Sequence, residues 1–220
     1  MGYFPRRRQN VTKGDIVIRQ EAPDDYNKTE EMTLKAFWNK YHMGCNEHLL
    51  VHKLRKSDVY LPKLSRVAAV ADEIVGAICY SKAWLKKEGE DGTEQIKEIV
   101  TFGPLCVSPE WQGCGVGSLL LEETLVLVKE AGYEGIVIFG EPEYYPRHGF
   151  QTCDHFGITT ADGKNFDAFM GIELVEGALR DFGGKFYESE VFEELPEEEN
   201  EEFTKLFHAP VKRRFPGQWD

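Results

Sequence analysis

The stretch CVSPEWQGCGVGSLLLEETL, residues 106–125, limits this chain more than any other. An apolar strand end runs into Gly113, Gly115 and Gly117, and a periodic helix follows at once. Glycine adopts positive φ without strain and lets backbone approach a ligand closely. The first turn of a helix leaves N–H groups without internal acceptors, and the helix dipole makes that end positive. Together these features form an anion site suited to a pyrophosphate. The alternative is a tight strand-to-helix connection with no ligand. No Lys-Ser or Lys-Thr follows the last glycine, so this is not a Walker loop, and the GxGxG spacing differs from the dinucleotide fingerprint GxGxxG.

The elements around this turn follow from periodicity. Residues 16–19 read as a strand. Met32, Leu34, Phe37, Trp38 and Tyr41 mark a helical pattern, and a second helix is expected over 47–57. Residues 66–87 read as a hairpin turning at Asp72-Glu73, followed by a polar turn over 87–95. Residues 96–107 form a strand in which Gly103-Pro104 predicts a bulge, because proline lacks a ladder donor. The helix expected over 116–131 keeps Leu121, Leu125 and Val128 on one face, and Gly132 ends it. Residues 135–140 read as a buried strand, with further strands near 167–175 and 184–193. Nine glutamates between Glu188 and Glu202 read as a solvated helical face and linker. With no internal repeat or low-complexity linker, residues 1–220 read as one domain, with a core of about 15–175 and a C-terminal extension of about 176–220.

Composition excludes several classes. A net charge of −12 argues against a nucleic-acid backbone as partner. The basic clusters Arg6 to Arg8 and Lys212 to Arg214 read as solvated ends. No apolar run reaches the 18 or more residues of a membrane helix. The opening MGYFPRRRQN has no apolar export segment, and Arg6 stands where an acylation signal needs Ser or Thr. Cys45, Cys79, Cys106, Cys114 and Cys153 are odd in number and lack a CxxC pair, which points to a reducing cytoplasm rather than a disulfide framework.

The run Val107-x-Pro109-x-Trp111-Gln112-Gly113-x-Gly115-Val116-Gly117-x-x-Leu120-Leu121 resembles the acyl-CoA-binding motif of the GNAT N-acyltransferases. Tyr145-x-x-x-Gly149-Phe150 resembles that family's later Y-x-x-x-GF element. EHLLVHKLRKS, GPLCV and GEPEYYPRHGF resemble the YhbS-like bacterial branch. The resemblance implies an α/β (α+β) fold: a twisted mixed sheet with helices on both faces and a V-shaped split between the strands near 96–107 and 135–140. It implies acetyl-CoA as cosubstrate, with the diphosphate held by N–H groups of Gln112, Gly113, Cys114, Gly115, Val116, Gly117 and Ser118. Pantetheine would lie along Leu105, Cys106 and Val107. Many relatives carry Arg or Lys where Cys114 stands.

The implied reaction is direct acetyl transfer to a primary amine of a small molecule or peptide, by a monomer or homodimer. Tyr145 lies four residues before Gly149, as the family tyrosine does, and is the expected proton donor to the leaving thiolate. Tyr144 is the next candidate. Some relatives place a glutamate base where Thr101 stands. Glu98 is the nearest carboxylate, but its odd offset along a strand turns it to the other face. A water chain or a residue of the first two helices remains an alternative base. His42, Cys45, Glu47, His48 and His52 invite a metal reading, yet lack the paired spacing of structural zinc sites; acceptor-site lining and ordinary packing are the other readings, and no metal is expected. A CoA-binding module without turnover is the alternative function, and a nucleotide-binding protein a third.

Overall fold

A computed structural model describes residues 13–218; the Arg6 to Arg8 cluster lies outside them. Among the described residues nine strands form one mixed sheet. In chain order they are β1 (Val17–Gln20), β2 (Arg66–Val70), β3 (Glu73–Glu88), β4 (Glu94–Val107), β5 (Gly135–Phe139), β6 (Gln151–Thr152), β7 (Ile158–Thr160), β8 (Phe169–Glu173) and β9 (Gly184–Tyr187). The helices are α1 (Tyr26–Phe37), α2 (Glu47–Leu54), α3 (Val116–Glu130) and α4 (Glu197–Thr204). The strands run β1-β2-β3-β4-β5-β8-β6, and β9 pairs with β3 and β7.

Alternation along the strands sends side chains to two separate cores. Ala68, Val75, Val100 and Phe102 pack against Val116, Leu120, Leu121 and Val128 of α3. Val67, Ala69, Ile74, Ala77 and Cys106 pack instead with Met32 of α1. Helices therefore cover both faces of the sheet. On α3 the buried stripe runs through Val116, Leu120, Thr124 and Val128, with Leu121 beside it. The four-residue repeat places Leu125 at the edge, half-buried rather than central.

Several expected boundaries shift. The apolar pattern through Tyr41 overruns α1, which stops at Phe37 before Asn39 takes a φ of 57°. The second helix stops at Leu54, not residue 57. The β2–β3 hairpin turns at Ala71-Asp72, one residue early, since Val70 still pairs with Glu73. The strand expected over 184–193 ends at Tyr187, and a 3-10 turn follows over Glu190–Phe192.

Two features of β4 position the site. Between the pairs Ile78–Leu105 and Tyr80–Phe102, the single residue Cys79 stands opposite Gly103 and Pro104. This is the bulge expected where proline offers no donor. On its other edge β4 pairs with β5 in parallel at one position, Val100 with Ile136. Beyond it the strands part, giving the V-shaped split.

Residues past 175 supply β9 and then return to α2. Phe203 stacks on the His48 ring with centroids 5.5 Å apart, and Phe207 meets the same ring edge-on at 5.8 Å. The His48 Nε2 lies 3.0 Å from Thr204 Oγ1. At the far end of α2, Arg55 pairs with Glu21 and Glu30, each at 2.6 Å. All three side chains are buried, and the one guanidinium pairs with both carboxylates, which offsets part of their desolvation.

Candidate active site

The mouth of α3 has the geometry its glycines imply. Gly113 and Gly115 have φ of 73° and 83°, left-handed values that a Cβ opposes. Gly115 is the N-cap, so the N–H groups of Val116, Gly117 and Ser118 begin the helix without acceptors four residues back. Cys114 departs from the expected set, because its N–H donates to the Trp111 carbonyl at 3.3 Å inside the loop. The Gln112 side chain donates to the Val107 carbonyl at 3.1 Å and ties the loop to β4.

Gly117 is required for a second reason. A Cβ there would lie 2.9 Å from the Tyr144 hydroxyl. That hydroxyl lies 3.5 Å from Ser118 Oγ, and His148 Nε2 lies 3.4 Å from the same atom. Burial lowers the His148 pKa, the nearby Glu122 opposing it. The Arg147 guanidinium lies 5.1 Å from the centre of the Tyr144 ring. Tyr144, Arg147 and His148 are thus gathered at the helix mouth. Sequence reasoning left Tyr144 as the lesser candidate and passed over the other two residues. The one available signal was their place inside YYPRHGF.

The open edge of β4 faces the split. The Ser108 N–H donates to the Val75 carbonyl at 2.9 Å. Antiparallel alternation then turns the Cys106 backbone toward β3 as well, and the Leu105 and Val107 backbones away from it. Of the three residues expected along pantetheine, Cys106 therefore presents no backbone group to the split. Its thiol is also buried, 3.4 Å from Thr33 Oγ1, with burial pushing its pKa up to about 12.

Tyr145 sits between the two diverging strands. Its ring packs against Phe102 of β4 at 5.8 Å and Phe150 at 5.4 Å between centroids. Gly140, just past β5, leaves the space this ring fills; a Cβ there would collide with it. The Tyr145 hydroxyl has no hydrogen-bond partner among the described residues. Burial, then the neighbouring Tyr144, raise its pKa, so the phenol keeps its proton at neutral pH.

Glu98 is placed elsewhere. Its carboxylate is 42% exposed and pairs with Lys82 at 3.2 Å. Tyr133, just past α3, donates to it at 3.4 Å. Four residues of strand separate Glu98 from Phe102, the β4 residue touching Tyr145, a distance of about 13 Å. The structure thus does not bring the two expected catalytic residues together.

The loop between α1 and α2 closes the other side. The Tyr41 hydroxyl donates to Glu141 Oε1 at 2.7 Å, joining this loop to the end of β5. Glu47 begins α2, half-buried, and its Oε2 accepts the Asn46 N–H at 3.1 Å. The histidines and cysteine nearby are occupied otherwise. Cys45 Sγ lies 3.6 Å from His48 Nδ1, and His52 Nδ1 lies 3.0 Å from Glu30. Among the described residues no three His, Cys, Asp or Glu side chains are grouped to hold a metal ion. No helix of the described residues is long and apolar enough to cross a membrane.

A glycine-lined helix mouth facing an open strand edge at a sheet split has counterparts among known proteins. The profile of the Acetyltransferase (GNAT) domain matches residues 61–152, which span β2 to β6 and include the glycine turn and Tyr145. Residues 61–152 thus carry the match to a GNAT acetyltransferase domain. The uncharacterized N-acetyltransferase YhbS of Escherichia coli is 28% identical over 77% of this chain and 93% of its own. The uncharacterized N-acetyltransferase YjhQ of Escherichia coli is 34% identical over 104 residues, 47% of this chain, and the match spans only 55% of YjhQ. Among solved structures, Escherichia coli YhbS in complex with CoA aligns at a TM-score of 0.70 and 24% identity, covering 86% of this chain and 98% of that one. A GNAT family acetyltransferase from Brucella melitensis, in complex with acetyl-CoA, aligns at 0.61 and 26% identity, covering 80% and 97%. The GNAT domain thus has the mixed sheet and paired helical layers expected from its sequence.

Proposed function

We propose that this GNAT domain binds acetyl-CoA and transfers its acetyl group directly to a primary amine of a small molecule or peptide. The observation that carries the reading is one arrangement: α3 begins at Val116 beside β4, where a Cβ at Gly117 would lie 3.5 Å from the Val107 side chain, and the Leu105 and Val107 backbones turn away from β3. A diphosphate at the first and a pantetheine arm along the second direct a thioester toward Tyr145. The CoA and acetyl-CoA complexes of the two related structures support this choice of cosubstrate. The helix mouth stabilises the diphosphate by dipole and hydrogen bonds, and Arg147 supplies a nearby cation that Cys114 does not.

Chemistry at the thioester makes three demands. The amine must lose its proton, since a free alkylammonium has a pKa of about 10. The tetrahedral oxyanion needs a fixed N–H donor, a role suited to the outward β4 amides. The leaving thiolate needs a proton, which the neutral Tyr145 phenol holds.

Calorimetry with CoA, ATP and NAD, joined to a thiol-release assay with acetyl-CoA and a panel of amines, tests the reading. CoA is expected to bind within the usual range for substrates, about 1 μM to 1 mM, ahead of both nucleotides, and thiol release is expected to require amine. CoA binding with no amine-dependent release would favour a module without turnover. No CoA binding would end the proposal. Because Glu98 lies exposed and paired to Lys82, Glu98→Gln is expected to change kcat by less than about twofold, as surface ion pairs away from the chemistry do. A loss of 10²-fold, the effect expected of a general base, would return Glu98 to the mechanism.

A further inference from the structure

Acetyl transfer to an ammonium needs a group to accept the amine's proton, and α2 offers one. Glu47 stands on the first turn of α2, on the α1 side of the sheet, where Cys106 of β4 also points. Its carboxylate accepts backbone N–H groups of Asn46 and of Glu47 itself, and among the described residues no cation pairs with it. Burial is the main reason that Cys45, Tyr41 and Cys106 titrate high, and the Glu47 charge adds to the shift in all three. That carboxylate is therefore within electrostatic reach of β4 beside the split and of the Tyr41–Glu141 bridge at the end of β5. Tyr41 in turn feels Tyr145. The Tyr41 hydroxyl donates to Glu141 and the Tyr145 N–H donates to the Glu141 carbonyl at 3.3 Å, so these three residues meet at one end of the opening, and Glu47 begins α2 shortly after Tyr41.

We propose that Glu47 receives the acceptor amine: its carboxylate holds the incoming ammonium and takes the proton that must leave before attack. The proposal rests on the acetyl-transfer reading and names the residue that completes it. The balance is simple. The ammonium gives one proton to Glu47, which passes it to solvent. The amine nitrogen bonds to the thioester carbon, the C–S bond breaks, and Tyr145 protonates the sulfur. The second proton lost by nitrogen restores Tyr145. Two protons leave nitrogen, one ends on CoA and one in water.

The surroundings suit a base. Burial raises the Glu47 pKa, against its backbone hydrogen bonds and the charges of His42 and Lys40. A carboxylate moved toward neutrality accepts a proton more readily than a free one. The groups facing it are Lys40, Tyr41, His42 and Cys45 from the loop, Cys106 from β4, and Glu141 through Tyr41.

The test has two arms on the full chain. In the first, thiol release from acetyl-CoA is measured with spermidine, lysine methyl ester and a tripeptide bearing a free α-amine. Glu47→Gln is expected to lower kcat/KM for the amine by about 10²-fold or more, to abolish the acid limb of the pH profile, and to leave CoA binding unchanged. Glu47→Asp is expected to restore part of the rate. A Gln variant within twofold of the parent overturns the proposal. In the second, the unaltered protein is crystallised with acetyl-CoA. A Glu47 carboxylate within about 6 Å of the thioester carbon supports the proposal, since an amine nitrogen fits between hydrogen-bond and attack distances. A carboxylate turned away from a correctly seated thioester overturns it alone, even if no amine tried is turned over. Acetyl-CoA found away from the α3 mouth overturns the acetyl-transfer reading with it.

Discussion

Tyr145→Phe is expected to lower kcat by about 10²-fold or more while leaving CoA affinity and folding stability nearly unchanged. The ring is fixed by Phe102 and Phe150, and a phenylalanine ring keeps those contacts. The hydroxyl has no partner among the described residues, so its removal orphans none of them. What the substitution removes is a proton held by a desolvated phenol where the strands diverge. The loss belongs in kcat, because the α3 amides proposed to bind CoA are untouched. The measurement is steady-state kinetics with chemistry established as rate-limiting by single turnover. An unchanged kcat under that condition would remove Tyr145 from the mechanism and leave it a packing residue.

The second large effect concerns pH and the C-terminal helix. His48 is buried between Phe203 and Phe207, and desolvation lowers its pKa to about 4 from the 6.5 of a free imidazole. The unfolded chain therefore binds a proton where the folded chain does not. Stability from this residue is complete above pH 6.5 and is lost as pH falls from there toward 4. The full shift corresponds to about 3 kcal/mol, of which about 2 kcal/mol disappears between pH 7.5 and 5. Urea melts of the parent and of His48→Phe at both pH values measure it. The parent is expected to lose about 2 kcal/mol more than the variant over that interval. Equal losses in the two proteins would show that the imidazole titrates freely.

These two residues mark where sequence reading reached and where it stopped. The glycine turn, the bulge at Gly103-Pro104 and the split between β4 and β5 were legible because each is a local matter. Glycine spacing, a missing proline donor and short apolar runs dictate backbone within a few residues. Tyr145 was legible because its distance from Gly149 is fixed within one short segment. Boundaries at Phe37, Leu54 and Ala71-Asp72 slipped because apolar periodicity continues past the point where packing ends a helix or a hairpin turns.

Tertiary structure decided the rest. Strand alternation puts Glu98 on the face of Val100 and Phe102, but four residues of strand keep it from Tyr145, and only the neighbouring strand supplies the Lys82 that holds it. Register with β3, invisible in one strand's sequence, sets which of Leu105, Cys106 and Val107 face the split. Glu47 comes near β4, and Tyr41 near the end of β5, only because α1 and α2 pack across the sheet, joining residues far apart along the chain. His48 owes its burial to Phe203 and Phe207, more than 150 residues later. Local backbone preference is written residue by residue; the meeting of distant side chains depends on the summed packing of the whole sheet, and no short stretch encodes it.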